Sequence, residues 1–192
     1  KEAPRNIMIW PEGGFVYLTG TDLNFLVACG QYIFGVPGLE CVEIFVSPEV
    51  VKNNLLPKIF GEKNYFSLQR NIYRYTGQHS CKTGNHACIQ ELVEGDDLVS
   101  IVLKDQENNF IGECRGMIFE GDAEVDIFVM EDYRGKGYGT ILVSPFLDYC
   151  ATHNLTPQWT CWEFREESNR LAQKCGFRLE KGVEVFLWDI FH

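Results

Sequence analysis

The sequence predicts a mixed α/β fold, and three features carry that reading. Strand-like segments follow one another from residue 98, "LVSIVLKD", "NFIGECRGMIF" and "AEVDIFVM", joined by the polar turn "QENN" and by Gly121. Consecutive strands with such short joints imply an antiparallel meander. A glycine loop, "YRGKGYG", then opens onto an apolar run in which a helix is expected from about 137 to 153. The chain closes with a strand "QWTCWEF", a helix over about 166–175 and a last strand pair over about 178–188. Gly176 is placed to end that helix.

Residues 1–95 read as an N-terminal region of short strands and helices, and 96–192 as the half that carries the chemistry. The apolar segments "RNIMIW", "GGFVYLTG", "LNFLVACG" and "CVEIFVS" are punctuated by glycine and proline, as short strands and turns are. "SPEVVKNNLLPKIFG" predicts a helix capped by Ser47, begun by Pro48 and ended by Gly61, with Pro57 shortening or bending it. Pro145 is expected to kink the helix after the glycine loop, because it removes one hydrogen bond.

A chain of 192 residues, 45% hydrophobic, can bury a sizeable core. Its formal charge of −10 excludes a global attraction to nucleic acid or anionic membrane. The same charge suits either a cationic small substrate or simple solubility. Eight cysteines lie scattered, several inside apolar patterns, as reduced buried thiols of a cytoplasmic protein do. No apolar run approaches a membrane span, and "KEAPRNIMIW" lacks the profile of a signal peptide. Oligomeric state is not legible.

The glycine loop raises the question of its ligand. A nucleotide P-loop needs Ser or Thr after its lysine, and Lys136 is followed by Gly137. The dinucleotide fingerprint needs a third glycine where Thr140 or Leu142 stands. What remains is R-G-K-G-Y-G between strand and helix, where successive N–H groups converge on an anion at a helix N-terminus.

With Arg134, Gly137 and Gly139 filling Q/R-x-x-G-x-G/A, the sequence resembles the GNAT (Gcn5-related N-acetyltransferase) superfamily of acyltransferases. "AEVDIFVMEDYRGKGYGTILV" is similar to that family's strand, loop and helix, and "ESNRLAQKCGF" to its later helix ending in Gly-Phe. "LTPQWTCWEFREESNRLAQKCGF" resembles, more narrowly, the subgroup that includes the zwittermicin A resistance acetyltransferase. The resemblance covers roughly residues 98–188. It implies the GNAT acyl-CoA N-acyltransferase fold, a central twisted, mostly antiparallel sheet with helices on both faces. It also implies acetyl-CoA as co-substrate, held by Val129, Arg134, Gly135, Lys136, Gly137, Tyr138, Gly139 and Thr140. Two departures stand out: Arg165 replaces a frequent asparagine, and Ala172 replaces the usual tyrosine general acid.

The implied activity is acetyl transfer to the primary amine of a small molecule, an antibiotic or a metabolite. The other reading is a non-catalytic acyl-CoA sensor or interaction module, kept open by the missing tyrosine. An alkylamine with a pKa of about 10.4 arrives protonated, so a general base helps. Glu124, ten residues before Arg134, matches by resemblance the catalytic glutamate of the histone-acetylating branch, and Asp126 shares its side of the strand. The alternative for both is a solvated strand face. The oxyanion donor is implied near Val129. Tyr133 and Tyr138 are proton donors or packing residues, and Lys136 meets a CoA phosphate or solvent. Cys114, Cys150, Cys161 and Cys175 lack an adjacent histidine, so packing is their expected role rather than nucleophilic attack.

"HSCKTGNHAC" sets His79, Cys81, His86 and Cys88 around a turn. In a hairpin all four share one face, the donor set of a tetrahedral zinc site, whereas a plain polar hairpin needs no metal. No metal is assigned, and a Cys81 to Cys88 bridge is disfavoured in a reducing compartment.

Overall fold

The computed structural model describes residues 5–11, 14–77 and 88–191. His79, Cys81 and His86 lie outside these residues, so the hairpin reading is not addressed by them. The chain forms two compact units: residues 1–69 with 184–192, and residues 70–183.

The first unit contains β1 (Ile7–Ile9), β2 (Val16–Thr19), α1 (Leu23–Phe34), β3 (Cys41–Val46), α2 (Pro48–Lys52) and α3 (Leu56–Phe60). Asp22 starts α1 by accepting a hydrogen bond from the Phe25 N–H at 2.8 Å. The helix expected over 48–60 is two helices. Asn54 between them has φ of 52°, a left-handed residue that ends the first run before Pro57 begins the second. Alternate residues of β2 and β3, Val16, Leu18, Val42 and Ile44, form the core with Leu26 and Ile33 of α1 and Phe60 of α3.

The second unit is a sheet in the order β4, β9, β8, β7, β6, β5, built from β4 (Phe66–Tyr75, from Arg70 onward), β5 (Ile89–Glu94), β6 (Leu98–Lys104), β7 (Phe110–Phe119), β8 (Asp122–Val129) and β9 (Thr156–Trp162). Neighbouring pairs are antiparallel except β8 with β9. The meander expected from residue 98 is β6, β7 and β8. After a short 3₁₀ turn at Glu131–Tyr133 comes α4 (Tyr138–Thr152), which runs through Pro145 without a break. Its Leu142, Phe146 and Cys150 bury against Ile101, Ile111, Val125 and Trp159. Complete burial of a side chain such as Phe146 stabilises by roughly 1.5–3 kcal/mol.

α5 (Glu166–Lys174) precedes β10 (Phe177–Asp189). The expected strand pair over 178–188 is thus one 13-residue strand. No reversal occurs at Lys181-Gly182, and residues 185–189 pair with β3 instead.

Candidate functional site

β8 determines the site because its two edges behave differently. Toward β7 it pairs along its whole length, from Asp122 with Phe119 to Val129 with Gly112. Toward β9 the parallel pairing covers only Asp122 with Thr156, Ala123 with Pro157 and Glu124 with Gln158. Both strands continue beyond that point, β8 to Val129 and β9 to Trp162, without further register.

The backbone polarity of the diverging stretch follows from one bond. Met130 N–H donates to the Ile111 carbonyl at 2.9 Å. Antiparallel strands alternate, so Val129 and Ile127 direct their N–H groups away from β7, to the side where β9 has parted. Val129 was expected as a donor from the sequence; Ile127 was not, because its role depends on strand register rather than residue type.

The glycine loop follows directly. Gly135 and Gly137 have φ of 72° and 92°, the left-handed region in which a side chain is strained. Gly137 is the residue that starts α4, so the loop enters the helix through two left-handed glycines that carry no side chain of their own. The first N–H groups of any α-helix have no partner within the helix, and α4's fifteen residues give it a full dipole. Arg134 is exposed, and its Nε donates to the Val129 carbonyl at 2.9 Å, tying the loop back to the end of β8. Lys136 places its ammonium 5.9 Å from the Tyr133 ring centroid. Tyr133 and Tyr138 meet edge to face at 5.5 Å, and Thr140 is buried.

Tyr133 is engaged elsewhere: its hydroxyl donates to Asp105 at 3.2 Å, and that bond holds its pKa above the ordinary value. The cysteines are quiet. Burial pushes the Cys150 thiol up to about 12, and burial likewise raises Cys114 and Cys161. A thiolate nucleophile is therefore disfavoured at all three.

Glu124 and Asp126 lie on the exposed face of β8, while Ala123 and Val125 face the core. Asp126 stands opposite Arg115 of β7 in the register. Glu124 has the richer surroundings. Thr160 of β9 donates its hydroxyl to Glu124 Oε1 at 3.2 Å, and Arg70 of β4 donates to the same Thr160 oxygen from Nε at 3.2 Å and Nη2 at 2.8 Å. The Arg70 guanidinium rests 5.0 Å from the Trp162 ring centroid. Sequence reasoning missed Arg70, Thr160 and Trp162, since their meeting depends on the pairing of β4 with β9.

The two departures in α5 also find their places. Ala172 is wholly buried, so the position of the usual tyrosine belongs to the core here. Arg165, just before the helix, lays its guanidinium 5.6 Å from the Phe164 ring centroid. Asn169 joins three elements. Its Oδ1 accepts from Tyr73 at 2.6 Å and Asn71 at 2.8 Å, and its Nδ2 donates to the carbonyls of Trp162, Glu163 and Arg165.

This geometry agrees with the comparison to known proteins: residues 100–186 match the family model for GNAT acetyltransferases. Over those residues the chain is similar to the GNAT acetyltransferases. An uncharacterized N-acetyltransferase of Bacillus subtilis, YdfB, is 36% identical over 73 residues, a match spanning 37% of this chain and 28% of that protein. The structure of a GCN5-related N-acetyltransferase-like protein from Streptococcus suis superposes with a TM-score of 0.66 at 16% identity, covering 97% of this chain and 84% of the other. A conserved protein of unknown function from Staphylococcus epidermidis gives 0.70 at 11%, covering 98% and 92%. At such identities the structural likeness is one of fold. The parted strands and the glycine loop lie inside the segment that the family model matches.

Proposed function

We propose that the chain is an acetyl-CoA-dependent N-acetyltransferase that acts on the primary amine of a small molecule. The observation that carries this reading is the end of β8–β9 pairing at Glu124 and Gln158, which leaves Ile127 and Val129 N–H groups turned to an open side beside the glycine-lined start of α4. The donor set fits the co-substrate. Backbone N–H groups of the loop and first helical turn suit a pyrophosphate, and those of Ile127 and Val129 suit amide and carbonyl oxygens.

Acetyl-CoA, when bound, supplies the acyl group as an activated thioester. Ile127 N–H lies within this open stretch and holds the acyl carbonyl oxygen as negative charge develops on it. Glu124 accepts a proton from the incoming ammonium. Three residue rises, about 10 Å, separate Glu124 from Ile127, so the amine is deprotonated before it reaches the carbonyl. The net charge of −10 favours a cationic acceptor. We place the protein in the cytoplasm, a reading supported by the free cysteines among the described residues. Among those residues no helix is long and apolar enough to cross a membrane.

Titration calorimetry with acetyl-CoA tests the site, and release of free CoA thiol across a broad panel of primary amines tests the reaction. Binding together with amine-dependent thiol release is expected. Folded protein that fails to bind at millimolar acetyl-CoA overturns the proposal. Binding with no thiol release from any amine would assign the chain to the non-catalytic acyl-CoA sensors instead.

A further inference from the structure

We infer that Thr160 is a positioning residue for Glu124, and that Arg70 sets the direction of its hydroxyl. The inference rests on the proposed role of Glu124 as proton acceptor.

A threonine hydroxyl has one proton to give and two lone pairs to receive. Arg70 donates to Thr160 Oγ1 from both Nε and Nη2, at 3.2 and 2.8 Å, a fork from one side that has no acceptor for the hydroxyl proton. The single proton is left to point outward, where Glu124 Oε1 lies at 3.2 Å. Turning that proton toward Arg70 would set donor against donor, so the hydroxyl keeps it on the Glu124 side. It acts as a donor that fixes the direction of one carboxylate oxygen.

The geometry is held from both ends. Arg70 is half-buried and is steadied by Trp162, its register partner on β9. Thr160 lies two residues beyond Gln158, on the same face of β9 and past the last paired position of β8. The bond from Thr160 to Glu124 thus bridges the two strands where their backbone ladder has ended. One carboxylate oxygen is fixed toward β9, and Oε2 is the oxygen presented to an acceptor.

Thr160→Val removes the hydroxyl at nearly constant shape, and Thr160→Ser keeps it. With benzylamine and 1,4-diaminobutane as acceptor probes, Thr160→Val should lower kcat about tenfold, while the acetyl-CoA dissociation constant stays unchanged and Thr160→Ser stays within about twofold of the wild type. In the Glu124→Gln background, Thr160→Val should have no further effect, because a positioning residue has nothing left to position. Equal losses in the Val and Ser variants, or full additivity with Glu124→Gln, overturn the inference. Nuclear magnetic resonance of ¹⁵N-labelled protein separates this from the proposed activity. The Arg70 Nε–H signal should be protected from exchange in wild type and Thr160→Ser and lost in Thr160→Val. If no amine of the broad panel is acetylated, the catalytic reading fails by itself, and a signal that persists in Thr160→Val sinks the clamp as well.

Discussion

Leu171 of α5 occupies the space beside Gly139 of α4: a Cβ built on Gly139 would stand 2.9 Å from Leu171 Cδ2 and 3.4 Å from Cδ1. The third loop glycine thus has a packing reason besides any cofactor. Alanine at 139 requires only a shift of a flexible leucine end, whereas Gly139→Val overpacks the contact. The valine variant should lose about 1–3 kcal/mol in urea unfolding. Leu171→Ala should recover part of that loss in the double mutant. Simple additivity of the two changes would show that the helices do not meet through this pair.

Gly137 is limited by its backbone, since its φ is 92°. Gly137→Val puts a branched side chain at a left-handed position where the loop enters α4, and that strain is on the order of 1–3 kcal/mol. Acetyl-CoA affinity measured by calorimetry should weaken at least about tenfold, or 1.4 kcal/mol. Unchanged affinity in a folded variant would place the co-substrate elsewhere.

Glu124→Gln keeps the acceptor oxygen for Thr160 but cannot take up a proton. Turnover at neutral pH should fall by about 10² to 10⁴, with acetyl-CoA binding intact. The defect should shrink as pH rises toward the amine's own pKa of about 10.4, because more acceptor then arrives neutral. A loss uniform across pH would indicate an anionic contact to the ammonium instead.

Asn169→Ala deprives the buried Tyr73 hydroxyl of its acceptor and three carbonyls of their shared donor. A buried donor left without a partner costs about 1–3 kcal/mol. The urea midpoint should fall accordingly, and no change in it would mean that water replaces the amide freely.

Cys150 links stability to alkaline pH. Burial raises its pKa from 9.0 to about 12, so the folded state keeps a proton that the unfolded chain releases near pH 9. The contribution is complete below about pH 9 and declines as pH rises toward about 12. Unfolding midpoints should therefore be flat from pH 7 to about 8 and fall above about 9, less steeply in Cys150→Ala. Cys114 and Cys161 shift in the same direction and add to the slope. Iodoacetamide should label exposed Cys41 and spare Cys150 in native protein.

The loop and α4 were legible because their causes are local. Glycine conformations, the arginine before them and the apolar run after them sit within a few residues of one another. The antiparallel meander was legible for the same reason. Arg70 and Thr160 are 90 residues apart and meet only because β4 pairs with β9, a fact that neither segment states alone. Ile127 depended on register, since a shift of one residue would turn its N–H to the other edge. The last segment suggests a strand pair over 178–188, and only the pairing of residues 185–189 with β3 shows one strand continuing. The α2–α3 break was half seen: Pro57 was noticed, but left-handed Asn54 was not.

β10 also has a consequence for the order in which the protein is made. The first unit is assembled from residues 1–69 and 184–192, whereas the second is continuous from 70 to 183. During synthesis every residue of the second unit is translated before Val185–Asp189, the partners of β3. All residues of the part that carries the glycine loop are therefore translated first, while one edge of β3 waits for residues 185–189.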